Sequence, residues 1–390
     1  MAVSIVTFAD LGKRSNLKTS GIVPVISAFE RQGQLRQVIC RMGEDFSFSA
    51  TTNALPRILH YGVKIFERIV PFQFSSRDIE EAIADFIASR KLKNSDIVLL
   101  HPEFAFPRTA RMARASGAIV VGIATVAHPS FNRKLFEEER ALFPAILYPP
   151  RVADRLTGRV DVVNSFDAII ALSELVKESY ARAGFSEDRI FVAYPDIDGT
   201  RFAPGAKQDD VFRVLYIAHT SLMKGLHYLL EAWRAAALPN AELVIVGGYS
   251  AGTPPELKEW YRTAMEADPS IRWVGETKNP EVYYREASVL AFPSLTEGFG
   301  RVALEAMTSG IPVITTENAK GIVEDGVSGF VVPIRDVSAL KEKMEYFYRN
   351  PEEVRRMGIA ARAAATAKKP FGEKVFTLCQ GIQASNGKKV

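Results

Sequence analysis

Short runs of apolar, β-type residues alternate with amphipathic stretches along the whole chain. Residues 3–8 form the first run, and the loop 9–20 after it is polar. Apolar positions in 22–29 fit one face of a helix that ends near Gly33, and 35–40 reads as the next strand. In 79–89, Ile79, Ile83, Phe86 and Ile87 fall on one helical face. The runs 96–100 and 118–125 are almost wholly apolar, as strands buried on both faces are, and the helical stretch 109–116 between them stops at Gly117. Such strands alternating with helices predict a parallel sheet covered on both sides, a doubly wound domain.

The pattern repeats after Asp198. Strands are expected at 212–218, 242–247, 288–293, 311–315 and 329–332, with helices at 224–237, 300–309, 337–348 and 351–368. Leu226, Leu229, Leu230 and Trp233 mark the inward face of the first of these helices. Residues 194–205, rich in Pro, Gly and Asp, read as the linker between two such domains. A length of 390 residues agrees with two or three domains at roughly 150 residues each.

Composition narrows the class. With 47% hydrophobic residues the chain has ample material for packed cores. Its most apolar stretch, 118–127, is only half of the roughly 20 residues a spanning helix needs. The apolar start, 1–8, meets Asp10 at once and reads as a strand, not as a signal peptide. Two cysteines, Cys40 and Cys379, are too few for a disulfide framework or a zinc site, and a reducing cytoplasm is the expected setting. A net charge of +4, from 49 basic and 45 acidic residues, is too balanced to make nucleic acid the expected partner. The basic loop positions Lys13, Arg14 and Lys18 could touch an anionic acceptor or the cytoplasmic face of a membrane, although a solvated loop explains them as well.

The most informative segment is 292–313. A buried strand ends at Pro293, and the turn Gly298-Phe299-Gly300 opens a helix whose N–H groups suit a phosphate. Glu297 in the turn and Glu305 within the helix bracket it, and carboxylates beside an anion site can accept hydrogen bonds from sugar or ribose hydroxyls. Favourable placement near a helix start would also account for the two acids.

Glu297 and Glu305, with seven residues between them and the Gly-Phe-Gly turn inside, resemble the signature of retaining GT-B glycosyltransferases of family 4, the group 1 transferases. The likeness continues in Asp167-Ala-Ile-Ile-Ala-Leu-Ser173 with Gly184, in Val214-Leu-Tyr-Ile followed by Lys224-Gly225, and in 323–333; it is specific over about 165–350. It implies an α/β, GT-B fold of two doubly wound Rossmann-like domains facing a central cleft. Residues 1–198 would bind the acceptor and 199–370 the nucleotide-sugar donor, with 371–390 a helix returning to the N-terminal domain. By the same resemblance Glu305 would hold the ribose and Glu297 the donor sugar. Gly298, Phe299 and Gly300, with the N–H groups of Arg301 and Val302, would line the sugar and diphosphate. Lys224 would neutralise the diphosphate, and the nucleobase would lie near Gly247 and the 273–277 segment that ends at Thr277. His128, after the run 118–125, would contact and orient the donor sugar, and His101 is a weaker candidate of the same kind; His60 and His227 carry no functional expectation.

The chain departs from the family pattern at one point. An arginine partner for the lysine is expected five residues before it or directly before it, where His219 and Met223 stand; His219 or Arg301 would supply the missing contact. The implied activity is retaining transfer of a sugar from a UDP- or GDP-sugar to a hydroxyl of a glycan, a lipid-linked sugar or a small molecule. No cofactor and no metal are implied, because the departing phosphate can take the acceptor proton while a lysine and helix N-termini stabilise it. Asp196-Ile197-Asp198 matches a metal-binding Asp-x-Asp, but it lies in the linker. The alternatives are a non-catalytic nucleotide-sugar-binding subunit, or another GT-B activity such as a nucleotide-sugar epimerase.

Overall fold

The computed structural model describes residues 1–7, 10–12, 22–40, 42–44, 51–53, 76–102, 106–146, 165–205, 207–250, 253–367 and 369–386. The basic loop positions Lys13, Arg14 and Lys18, together with His60, lie outside the described residues. The chain forms two compact units. The first comprises Met1–Ser130, Gly158–Pro195 and Lys369–Val390, and the second Phe131–Thr157 and Asp196–Lys368.

Nine strands are described in the first unit: β1 (Val3–Val6), β2 (Asp10–Gly12), β3 (Leu35–Cys40), β4 (Met42–Glu44), β5 (Thr51–Asn53), β6 (Ile97–Leu100), β7 (Ile119–Ala124), β8 (Ala168–Ala171) and β9 (Ile190–Val192). Seven of them form one parallel sheet in the order β5-β3-β1-β6-β7-β8-β9, while β2 pairs with β4 separately. β1, β6 and β8 are buried at every position, which is why β6 and β8 are wholly apolar runs and the one polar residue of β1, Ser4, is matched by Ser95 at 2.7 Å. The helix Phe371–Asn386 packs on the helix Ile22–Arg31, with the rings of Phe29 and Phe376 edge to face at 5.2 Å.

The second unit contains β10 (Phe212–Ile217), β11 (Ala241–Val246), β12 (Ile271–Gly275), β13 (Val289–Phe292), β14 (Val313–Thr316) and β15 (Gly329–Val332), all parallel in the order β12-β11-β10-β13-β14-β15. Alternate residues feed opposite faces, as the pleat requires. Val214, Tyr216, Leu243, Ile245, Val289 and Ala291 join one core with Leu226, Leu229, Leu230 and Trp233. Leu215, Val244, Leu290 and Phe292 join the other with Ala303, Ala306 and Met307. Burying one such large side chain contributes roughly 1.5–3 kcal/mol, so these two layers fix the strand order and with it the loops at the strand ends.

Two features lay beyond the hydrophobic pattern. Residues Phe131–Thr157 belong to the second unit, although a boundary at 198 groups them with the first. They enter on the helix Pro129–Leu142, whose buried positions after Pro129 are Asn132, Leu135, Phe136 and Glu139. Leu135 and Phe136 sit in the same core as Val214 and Leu226. Two of the four buried positions are polar, which hides the stripe from a hydrophobicity reading. The helix expected from 224 begins at Leu226, because Leu222–Lys224 is a 3-10 turn closed by Gly225. Among the described residues, no helix is long and apolar enough to cross a membrane.

Candidate functional site

In the second unit the strand order reverses between β10 and β13, so the loops leaving their carboxyl ends run side by side, where open α/β sheets bind ligands. Short contacts knit the two loops together. The Leu295 amide donates to the Met223 carbonyl at 2.9 Å. Gly225 has φ +68°, and a Cβ there would stand 2.0 Å from the Pro293 carbonyl oxygen. Only glycine permits both the left-handed backbone and that approach.

This packing brings two predicted site residues together: Lys224 Nζ and Glu297 Oε1 form an ion pair across the loops. The Glu297 side chain is 15% exposed and that of Lys224 31%. Ser294 Oγ lies 2.9 Å from the same carboxylate oxygen and can donate to it. The Glu297 amide donates to the Asn318 carbonyl at 3.1 Å, and Asn318 Nδ2 donates to the Leu295 carbonyl at 3.0 Å, which fixes the turn from the β14 side. Burial, reinforced by the negative charge of Glu297, pushes the Tyr216 phenol far up, so it stays neutral beneath the pair.

Gly300, at φ +78°, caps the helix Arg301–Thr308, and no side chain occupies the cap. Gly298 and Phe299 ahead of it are buried. Glu305, one turn in, accepts a hydrogen bond at 2.9 Å from the Tyr284 hydroxyl, which also reaches the Val302 carbonyl at 3.3 Å. Burial raises the Glu305 carboxyl above its ordinary value, while Tyr284, Arg301 and Arg201 partly offset the rise. Arg301 thus bears electrostatically on Glu305. Arg201 is anchored by Glu281 at 3.0 Å and by the Lys278 carbonyl at 2.8 Å.

The remaining predicted positions of this unit lie at the ends of β10, β11 and β12. The Gly247 carbonyl accepts from the Trp273 indole at 3.0 Å, and Trp273 meets Tyr249 edge to face at 5.4 Å. Thr277 Oγ1 accepts from the Asn279 amide at 3.1 Å, closing its own turn. His219 is 66% exposed and stands 3.9 Å from Glu276 Oε1.

His128 belongs to the first unit. It is buried, its Nδ1 lies 2.7 Å from Ser130 Oγ and accepts from the Ser130 amide at 3.2 Å, and its ring meets Tyr180 edge to face. An accepting Nδ1 puts the proton of the neutral ring on Nε2, and burial lowers the pKa, so the imidazole is neutral at pH 7. His101 is also buried in this unit. Asp198 Oδ1 accepts from the amides of Thr200 and Arg201 and from the Thr200 hydroxyl, an Asx turn that employs this carboxylate in the linker.

Several residues around the site carried no signal in the sequence. Asn132 Oδ1 accepts from Thr296 Oγ1 at 3.0 Å, immediately beside Glu297. Glu139, fully buried, accepts at 2.8–2.9 Å from His227, Tyr228 and Arg335. Each partner is distant along the chain, so no local spacing betrays the contacts.

The fold defines the class of the architecture: two doubly wound α/β units of the GT-B type, with the candidate site at the switch point of the second. Residues 199–364 match the family described as Glycosyl transferases group 1. The chain is 25% identical over 234 residues to an uncharacterized glycosyltransferase of Haemophilus influenzae, covering 58% of this chain and 64% of that protein. It is 28% identical over 238 residues to the D-inositol 3-phosphate glycosyltransferase of Xylanimonas cellulosilytica, covering 55% and 57%. The matched stretch thus spans somewhat over half the length of these relatives. In fold it is similar to Anabaena HepE, solved in complex with UDP, with a TM-score of 0.68, 17% identity and coverage of 98% and 100%.

Proposed function

We propose that the protein transfers a sugar from a nucleotide diphosphate sugar to an acceptor hydroxyl, with retention at the anomeric carbon and without a metal. The observation that carries the reading is the Lys224–Glu297 pair, built by two loops at the sheet's switch point beside a helix opened by Gly300. When a donor enters, its diphosphate takes over Lys224, and Glu297 is released to accept a sugar hydroxyl. Glu305, preset by Tyr284, accepts from the ribose. As the glycosidic bond to phosphate breaks, charge grows on the leaving oxygen, where Lys224 and the N–H groups at the start of the helix Arg301–Thr308 stabilise it. That oxygen takes the proton of the attacking hydroxyl on the same face, so no protein nucleophile is needed. His128, neutral with Nε2–H as donor, stays in the reading as a contact to the donor sugar.

Support comes from the family match over 199–364 and from the presence of UDP in HepE, which makes uridine the first nucleotide to try. The test is incubation with UDP- and GDP-sugars in EDTA. Release of nucleoside diphosphate is followed, with anomeric configuration read by proton NMR. Turnover with an α-product from an α-donor is expected. Tight binding without turnover favours the non-catalytic subunit, and activity restored only by Mn²⁺ or Mg²⁺ revives a role for Asp196 and Asp198.

A further inference from the structure

We propose that Asn132 is a positioning residue for Glu297, on a helix segment that braces both loops of the site; the proposal rests on the reading of Glu297 as a donor-sugar contact. The buried stripe of this segment is Asn132, Leu135, Phe136 and Glu139, at spacings of three, one and three. A stripe that only filled the core would be apolar throughout, because buried polar groups cost free energy unless matched. Here both ends of the stripe are matched to the site loops. At one end Asn132 accepts from Thr296, the residue before Glu297. At the other end Glu139 Oε1 accepts from His227 Nε2 at 2.8 Å and from the Tyr228 hydroxyl at 2.9 Å. These two residues open the helix that follows Lys224-Gly225.

Glu139 is held as a carboxylate. Burial pushes its carboxyl up, but hydrogen bonds from His227, Arg335 and Tyr228 outweigh this and leave it below the ordinary value. Arg335, just past β15, donates from Nε to Glu139 Oε2 at 2.8 Å and reaches Glu138 at 3.2 Å. It does so from a left-handed backbone with φ +65°, a conformation unfavourable in an L-residue that persists where the surroundings hold it. Glu139 thereby locks the segment, and Asn132 transmits its position to the turn carrying Glu297.

Hydrogen exchange and donor kinetics on the full chain test this. In Asn132→Ala the amides of Leu295 and Glu297, bonded to Met223 and Asn318, should exchange about tenfold faster, as expected for loss of one buried hydrogen bond. Thr296→Val should do the same, the double variant should go no further, and Thr296→Ser, which keeps the hydroxyl, should retain protection. Turnover in Asn132→Ala should show a lower kcat with the KM for the nucleotide sugar unchanged. Unchanged exchange, or additive effects in the double variant, overturns the brace. Faster exchange with unaltered kcat overturns the positioning role. Absence of turnover in the wild type counts against the proposed activity, and the exchange comparison still decides the brace.

Discussion

Lys224 and Glu297 form an ion pair; the proposed function gives its two members separate tasks once donor binds, so stability and activity should part in a double-mutant cycle. Lys224→Met removes the cation and leaves a carboxylate that is 15% exposed beside the Ser294 hydroxyl. Breaking a fully buried pair costs about 3–5 kcal/mol and an exposed one about 0–1 kcal/mol. With side chains 31% and 15% exposed, this pair lies between, at about 1–3 kcal/mol for Lys224→Met. Glu297→Gln leaves the better solvated lysine unpaired and should cost less. Lys224→Met/Glu297→Gln removes both charges and should recover most of the loss. All three tryptophans, Trp233, Trp260 and Trp273, lie in the second unit, so urea unfolding followed by tryptophan fluorescence reports on the unit that holds the pair. Turnover should behave differently. Lys224→Met should lose on the order of a hundred- to a thousandfold, as for removal of one preorganised donor to a developing anion, and the double variant should stay inactive. Single-variant stability losses that add in the double would refute the pairing. Turnover of Lys224→Met within twofold of wild type would refute the assignment of Lys224 to the diphosphate.

Gly225→Ala forces a Cβ against the Pro293 carbonyl at 2.0 Å from a left-handed backbone, so it should weaken nucleotide binding and lower the urea midpoint. Gly326→Ala, at φ +72° with nothing within 4 Å, is the control and should show only the backbone cost of about 1 kcal/mol. Burial raises the Glu305 carboxyl above its ordinary value, so as pH falls it binds a proton before an ordinary glutamate does, and under the proposed function it then loses acceptor capacity for ribose. Calorimetry should therefore show nucleoside diphosphate affinity declining on the acid side from above pH 4.5, and Glu305→Gln should lack this component.

Much of the fold was legible because strands buried on both faces are mostly apolar runs, as β6, β8 and β13 are. Within the second unit, Glu297 stood out beside its glycine turn and Lys224 was implied by the family resemblance, and the structure pairs the two across the loops. The helix Pro129–Leu142 escaped because Asn132 and Glu139 interrupt its apolar stripe, and their partners Thr296, His227 and Arg335 are 88 to 196 residues away along the chain. His227 looked like an ordinary helix residue for the same reason. His219, placed by spacing where a phosphate-binding arginine is expected, is exposed beside Glu276, whereas Arg301 and Arg201 both bear on Glu305. Spacing locates a backbone position, but it does not say which long side chains from other loops surround it.

The central claim, that one carboxylate serves the nucleotide and the other the sugar, is tested most directly by titrating UDP into Glu305→Gln and Glu297→Gln in a calorimeter. Glu305→Gln should lose about tenfold or more in affinity, as expected when a charged hydrogen-bond acceptor is removed, and Glu297→Gln should bind UDP within about threefold of wild type. Equal losses in the two variants would contradict the division of labour. No loss in either, with normal turnover, would reduce both glutamates to favourable charges near a helix start.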